Sequence, residues 1–195
     1  MRKRPLLLLA VLLLVAAGCS RNESDSGLPV LKPGMPIDNF HGVYVYYNGE
    51  TTNVYGRNFA PDGYNLGLKY QCVEFAKRYY YQYLNHKMPD SYGNARDFFD
   101  PQVADGDMNP ARDLRQYTNP GSTKPEISDL VVLEGTSTNP YGHVAIISRV
   151  DASKIEIIQQ NSGPYGKSRV EYNLYYQDGK WRIDSQRLMG WLRKE

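Results

Sequence analysis

The pattern of apolar and polar positions divides the chain into three unlike stretches. Leu6 to Ala17 is an unbroken apolar run of twelve residues behind the basic Met1-Arg2-Lys3-Arg4. From Ser20 to about Pro36 the chain is polar and carries Pro29, Pro33 and Pro36. Beyond that, helical and strand periodicities take over. Val43-Tyr44-Val45-Tyr46-Tyr47 is a β-rich run that closes on Asn48-Gly49, a hairpin-type turn signal. From Cys72 to about Leu84, spacing at 100° per residue puts Cys72, Phe75, Ala76, Tyr79, Tyr80 and Tyr83 on one side and Glu74, Lys77, Arg78 and Gln82 largely on the other, which predicts a core helix. Ser91 to about Pro125 is rich in Asp, Asn, Gly and Pro and reads as a solvated loop with a short helix at Asn94–Phe99. The runs Asp129–Glu134, Gly142–Val150 and Lys154–Asn161 are β-branched and separated by turn residues. They predict successive antiparallel strands, with two more around Ser168–Tyr176 and Trp181–Leu192. One helix followed by an antiparallel sheet is an α+β arrangement.

Composition changes this picture mainly at the N-terminus. A basic n-region, a short apolar core and the small residues Ala16, Ala17 and Gly18 before Cys19 form an export signal, and twelve apolar residues fall well short of the roughly 20 that span a bilayer. Ala-Gly-Cys resembles a bacterial lipobox, which implies cleavage after residue 18 and a lipid on Cys19; an ordinary cleaved signal is the alternative. Ser20 after that cysteine resembles the pattern sent to the outer membrane, so the expected location is the bacterial envelope, anchored by lipid and facing the periplasm. The organisation expected is a signal at 1–18, a lipidated cysteine and flexible tether at 19–36, and a domain at 37–195, long enough to bury a sizeable core. Lys plus Arg number 23 against 21 Asp plus Glu, so no electrostatic case for a nucleic-acid partner arises.

With Cys19 committed to lipid, Cys72 has no disulfide partner in the mature chain. It stands at the predicted helix start, where free N–H groups and the positive end of the dipole favour a thiolate. A buried structural cysteine is the alternative, and position at the helix start argues against it. Among the three histidines, His41 and His86 read as core or surface residues. His143 alone stands between a glycine and a buried strand, on a face continuing through Ala145 and Ile147, where an imidazole would be rigidly held. Asp105, Asp107, Asn109 and Asp113 have some look of a calcium loop, but Pro110 and the lack of a closing Glu favour a plain loop without metal.

Gln71-Cys72-Val73-Glu74-Phe75-Ala76, Asp129-Leu130-Val131-Val132, Gly142-His143-Val144-Ala145-Ile146-Ile147, the strand ending in Gln160-Asn161, and Met189-Gly190-Trp191 together resemble the CHAP family (cysteine, histidine-dependent amidohydrolase/peptidase), nearest its glutathionylspermidine amidase branch. The resemblance implies a papain-like α+β fold, with the nucleophile helix packed on an antiparallel sheet, and amide hydrolysis without cofactor or metal. It implies Cys72 as nucleophile, His143 as base, and an oxyanion site at the Cys72 N–H with Gln71 nearby. Gln159 stands where that branch has a catalytic Glu, Asn161 matches an asparagine lining the site, and Lys77 stands in place of an arginine near the cleft. On a strand Glu156 faces away from Gln159 and Asn161, so it is not expected to replace the missing carboxylate. The amide oxygen of Gln159 still suffices to orient the imidazole.

Two functions follow. The first is an envelope cysteine amidohydrolase acting through a thioester on cell-wall peptides or small peptide–amine conjugates. The second is a catalytically weak domain retained as a cell-wall-binding module, with Tyr79, Tyr80, Tyr81 and Tyr83 as candidate stacking residues. A secreted toxin fits less well with a lipid anchor.

Overall fold

The computed structural model describes residues 30–195; the signal, Cys19 and the first part of the expected tether lie outside the described residues. Two small hairpins come first. β1 (Pro36–Phe40) pairs with β2 (Val43–Tyr46), and β3 (Arg57–Phe59) with β4 (Asn65–Leu68). The turn of the first hairpin is His41-Gly42, at φ 49° and 82°, and not Asn48-Gly49. Positive φ at both central residues suits a two-residue hairpin turn, whereas Asn48 is buried and donates to Glu50 O and to Asn161 Oδ1.

Helix α1 (Cys72–Gln82) follows, then a 3₁₀ turn at Ala95–Phe98 where the short helix was expected. The remaining strands are β5 (Met108–Asn109), β6 (Leu114–Thr118), β7 (Leu130–Leu133), β8 (His143–Val150), β9 (Lys154–Ile158), β10 (Arg169–Gln177), β11 (Lys180–Ile183) and β12 (Leu188–Arg193). They form one antiparallel sheet in the order β11-β10-β9-β8-β7-β12-β6-β5. The chain is α+β, as the pattern predicts.

Two strand expectations need correction. The segment Trp181–Leu192 is two strands: β11 ends the β10 hairpin, and β12 crosses back to lie between β7 and β6. The stretch 91–125 is not simply a solvated loop, because β6 within it is an inner strand. Leu114-Arg115-Gln116-Tyr117-Thr118 hides its strand character because Gln116 takes a buried position, its amide satisfied by Asp100, Val103 and Asn109. Asp105, once weighed as a metal ligand, accepts from Thr118 N–H and Oγ1 and from Ser122 N–H, pinning this segment to β6.

The sheet curls. Gly121, just past β6, exchanges two backbone bonds with Trp181 on the far edge strand, at 2.9 and 2.8 Å. Alternate residues therefore fill two cores. Val131, Leu133, Ala145, Ile147, Ile157 and Trp191 belong to one; Leu130, Val132, Val144, Ile146 and Ile158 pack with Phe75, Ala76, Tyr79 and Tyr80 of α1 in the other. Burial on both faces explains the unbroken apolar run of β7.

The polar side of α1 is also buried, which corrects the amphipathic reading. Glu74, Lys77 and Arg78 are no more than 5 % exposed. Glu74 Oε1 accepts from Arg78 Nε (2.6 Å) and Asn58 Nδ2 (2.8 Å), and Oε2 from Gln160 Nε2 (2.9 Å). Gly67 of β4 makes this seam possible: at φ 127° a Cβ would lie 3.2 Å from Glu74 N and Cα. Tyr83, assigned by periodicity to the core side, is 46 % exposed because α1 ends at Gln82.

Candidate active site

Cys72 is the first residue of α1 and is buried. Gln71, extended at φ −82° and ψ 161°, is the N-cap. The first intrahelical bond runs from Phe75 N–H to Gln71 O, so the N–H groups ahead of it, that of Cys72 included, have no acceptor within the helix. His143 opens β8 and is partly exposed. Its neighbours at alternate positions, Ala145 and Ile147, belong to the core away from α1, while Val144 and Ile146 face the helix. The imidazole meets the thiol because His143 stands at the very end of the sheet. Gly142 at φ 78° brings the chain in there, where a Cβ would lie 2.7 Å from Leu133 O and 2.9 Å from Arg96 Cβ.

Gln159 follows β9 and places Oε1 2.9 Å from His143 Nε2. The amide cannot be turned around freely, because its Nε2 donates to Lys167 O at 2.9 Å. With Oε1 as acceptor, the imidazole donates from Nε2–H, which leaves the Nδ1 lone pair for the Cys72 proton. His143 and Cys72 stand close enough to shift each other. Burial pushes the thiol up, but the His143 charge, the His143 hydrogen bond and the N–H groups of Val144 and Val73 outweigh it and hold Cys72 below its ordinary value. For His143 burial works downward, and the Cys72 charge and the bonds to Cys72 and Gln159 together raise it above its ordinary value. Both shifts favour a thiolate–imidazolium pair.

The other sequence-predicted residues divide. Gln71 is adjacent, but its side chain is occupied: Nε2 donates to Asn53 O (2.7 Å) and Thr51 O (3.2 Å), and Oε1 accepts from Asn161. Its side-chain donors are thus committed to the 51–53 loop in this arrangement, while the Cys72 N–H stays next to it at the helix start. Asn161 does not share a face with Gln159. At φ 63° it leaves the strand, and its amide bridges Asn48, Thr51 and Gln71 behind the helix start. Lys77 does not line the cleft; its ammonium is buried against Asn65 O and Ser91 O, and loss of hydration lowers its pKa to about 8. Glu156 does face away, holding Ser148 Oγ and Arg169. His41 Nδ1 meets Tyr79 Oη and His86 Nε2 meets Arg112 O, each at 2.9 Å, so neither joins the site.

The sequence reading passed over Gln160. It is fully buried, accepts from Tyr46 N–H (2.7 Å) and donates to Gln71 O and Glu74 Oε2, each at 2.9 Å. These bonds tie the end of β9 to the N-cap of α1 and so set the spacing between Gln159 and Cys72. The adjacency Gln159-Gln160 was a visible signal, since neighbours on a strand face opposite sides.

Compared with known families, residues 62–161 match the CHAP domain. The chain is 28 % identical over 162 residues to trypanothione synthetase of Crithidia fasciculata, an alignment covering 78 % of this chain and 25 % of that protein. It is 31 % identical over 101 residues to the glutathionylspermidine synthase of the same organism, covering 50 % and 14 %. It therefore spans a quarter or less of either relative's length. A crystal structure of Ly7917 with the hydrolyzing product of MDP is 28 % identical, covering 37 % of this chain and 29 % of that one at a TM-score of 0.28; at that score nothing about this chain rests on it.

Proposed function

The chain belongs to the CHAP domain family, and from that premise we propose that it is a cysteine amidohydrolase that works through a thioester. The observation that carries the proposal is the fixed orientation of His143, whose Nε2 bonds Gln159 Oε1, together with a Cys72 close enough that the thiol and the imidazole shift each other. In this reaction His143 takes the thiol proton and the Cys72 sulfur adds to the amide carbonyl. The resulting oxyanion lies against the Cys72 N–H at the positive end of α1. Collapse expels the amine, which leaves with the proton from His143, and the acyl group stays on sulfur. His143 then deprotonates water, the thioester is hydrolysed, and the free acid and thiol are regenerated.

The substrates proposed are cell-wall peptides or small peptide–amine conjugates of the kind named by the glutathionylspermidine relative. A lipid on Cys19 would hold the domain in the envelope beside the former. Incubating the mature domain with purified muropeptides and with glutathione-type amides, followed by mass spectrometry, tests this. Turnover with loss of activity in Cys72→Ala supports it. No turnover of either, together with a Cys72 unreactive to iodoacetamide, overturns it.

A second reading, a cell-wall-binding module of weak activity, is favoured by one observation, the neutral amide at Gln159. It predicts that Cys72→Ala leaves both wall binding and the cellular phenotype intact. The tyrosines once considered for stacking weaken it, because Tyr79 and Tyr80 are fully buried.

A further inference from the structure

Arg187 stands at the same end of the sheet as His143 and has no carboxylate to hold. Its Nε and Nη2 both donate to Glu134 O, at 3.1 and 2.7 Å, and Glu134 N–H returns a bond to Arg187 O at 2.7 Å. The guanidinium is thus fixed by main chain, with Nη1 left over. Leu188 pairs with Leu133, and Leu133 pairs with His143. Arg187 therefore lies just beyond a strand two places from the base, the two backbones roughly 10 Å apart at about 4.8 Å per strand.

Arg78, Arg115, Arg149, Arg169 and Arg193 pair with carboxylates, and Arg112, which like Arg187 is held by carbonyls, is buried away from any ligand. Among the described residues no carboxylate lies within ion-pairing distance of Arg187, although the residue is exposed. The neighbouring acids are otherwise placed. Asp97 accepts Asn94 N–H and faces Arg96 Nε at 3.6 Å; Glu134 uses only its backbone toward Arg187. A groove lined by Arg96, Asp97, Phe99, Pro101, Glu134 and Met189 shares Glu134 with this contact. The Arg187 charge also opposes protonation of His143. A fixed cation beside a base that must become positive hinders the reaction unless an anion arrives with the substrate.

We propose that Arg187 receives a carboxylate of the substrate, so that the amide cleaved at Cys72 carries an anionic group that reaches the His143 end of the sheet. The proposal rests on the reading of Cys72 and His143 as the cleaving pair. An anion bound there also relieves the field on the imidazole, so a carboxylate substrate gains in kcat as well as in KM.

Alkylation of Cys72 in the whole protein by iodoacetate and by iodoacetamide tests this without a known substrate. Both reagents need the same thiolate, so the ratio of their rates cancels changes in thiolate fraction and reports the local field. Arg187→Gln should lower the iodoacetate to iodoacetamide ratio about threefold at low salt, with the effect fading as salt is added. Arg187→Lys should keep most of the ratio, and Glu134→Gln should raise it. A paired substrate test follows: a muropeptide with a free carboxylate should be favoured over its amidated form by about tenfold or more, a preference that Arg187→Gln removes. An unchanged ratio in Arg187→Gln, or an unchanged preference, overturns the assignment while the cleaving pair stands. A wild-type Cys72 unreactive to both reagents overturns the cleaving pair, and this inference with it.

Discussion

One turn of α1 separates two ways of keeping charge away from water. In the seam between the helix and the hairpins, Glu74 accepts from Arg78 twice, from Asn58 and from Gln160, and the Lys77 ammonium is held by two carbonyls. Every strong acceptor there is matched by a donor. At the helix start, Cys72 and His143 share one proton between them, and the second nitrogen of the ring is bound to a neutral amide. Both shifts in that pair favour moving the thiol proton to the ring, whereas the seam is held by fixed donor–acceptor matches. The adjacent residues Gln159 and Gln160 divide the work: the first orients the imidazole, and the second joins the seam. Burial alone therefore does not mark a reactive site; a proton with two places to go does.

The largest effect that would separate the two regions is expected from His143→Ala. Turnover should fall by roughly 10²- to 10⁴-fold, as for loss of a general base. The iodoacetamide profile carries the sign. In the wild type the lowered thiol and raised imidazole move the two titrations toward the order that an ion-pair window needs, so alkylation should rise below the ordinary thiol value of 9.0. Without His143 only burial and two N–H groups act, and the midpoint should move upward. The urea midpoint should change little, since His143 is partly exposed.

Glu74→Ala should do the reverse. It leaves the Arg78 guanidinium buried and unpaired, which costs about 3–5 kcal/mol of folding stability, while the thiol titration of the remaining folded protein stays in place. Urea unfolding alongside alkylation against pH checks both halves. If Glu74→Ala shifts the titration as far as His143→Ala does, the seam and the site are one network and the distinction fails.

How far these regions could be read from the sequence follows from the range of the interactions that build them. The start of α1, the β8 strand behind Gly142-His143 and the pairing of His143 with Gln159 across 16 positions were legible, because local periodicity and a family-like order of motifs carry them. The seam was not. Glu74, Lys77 and Arg78 read as a solvated face because polarity alone does not reveal that Asn58 and Gln160 come from distant segments to meet them. The same blindness hid β6, whose buried Gln116 breaks the apolar alternation, and moved the first hairpin turn to Asn48-Gly49 when His41-Gly42 makes it. Lys77 and Asn161 were placed at the cleft by motif position, yet Lys77 turns into the seam and a positive φ turns Asn161 behind the helix.

The smallest and sharpest effect is expected from Gln159→Glu, because it changes the charge next to the ring and little else. A carboxylate should favour the imidazolium by about 1 kcal/mol over a neutral amide, since hydrogen bonds to charged groups exceed neutral ones by roughly that much. His143 would then be raised further, and the ion-pair window should extend to higher pH with a several-fold gain in rate. Against this stands the Gln159 Nε2 bond to Lys167 O, which a carboxylate cannot make. Lys167 is exposed, so water can take over that carbonyl and the loss of stability should stay near 1 kcal/mol. Alkylation against pH, turnover and urea unfolding of the one variant separate these contributions. A folded Gln159→Glu with a narrower window and lower turnover would show that the amide's donor to Lys167 matters more than charge at His143, and that the site is built around glutamine.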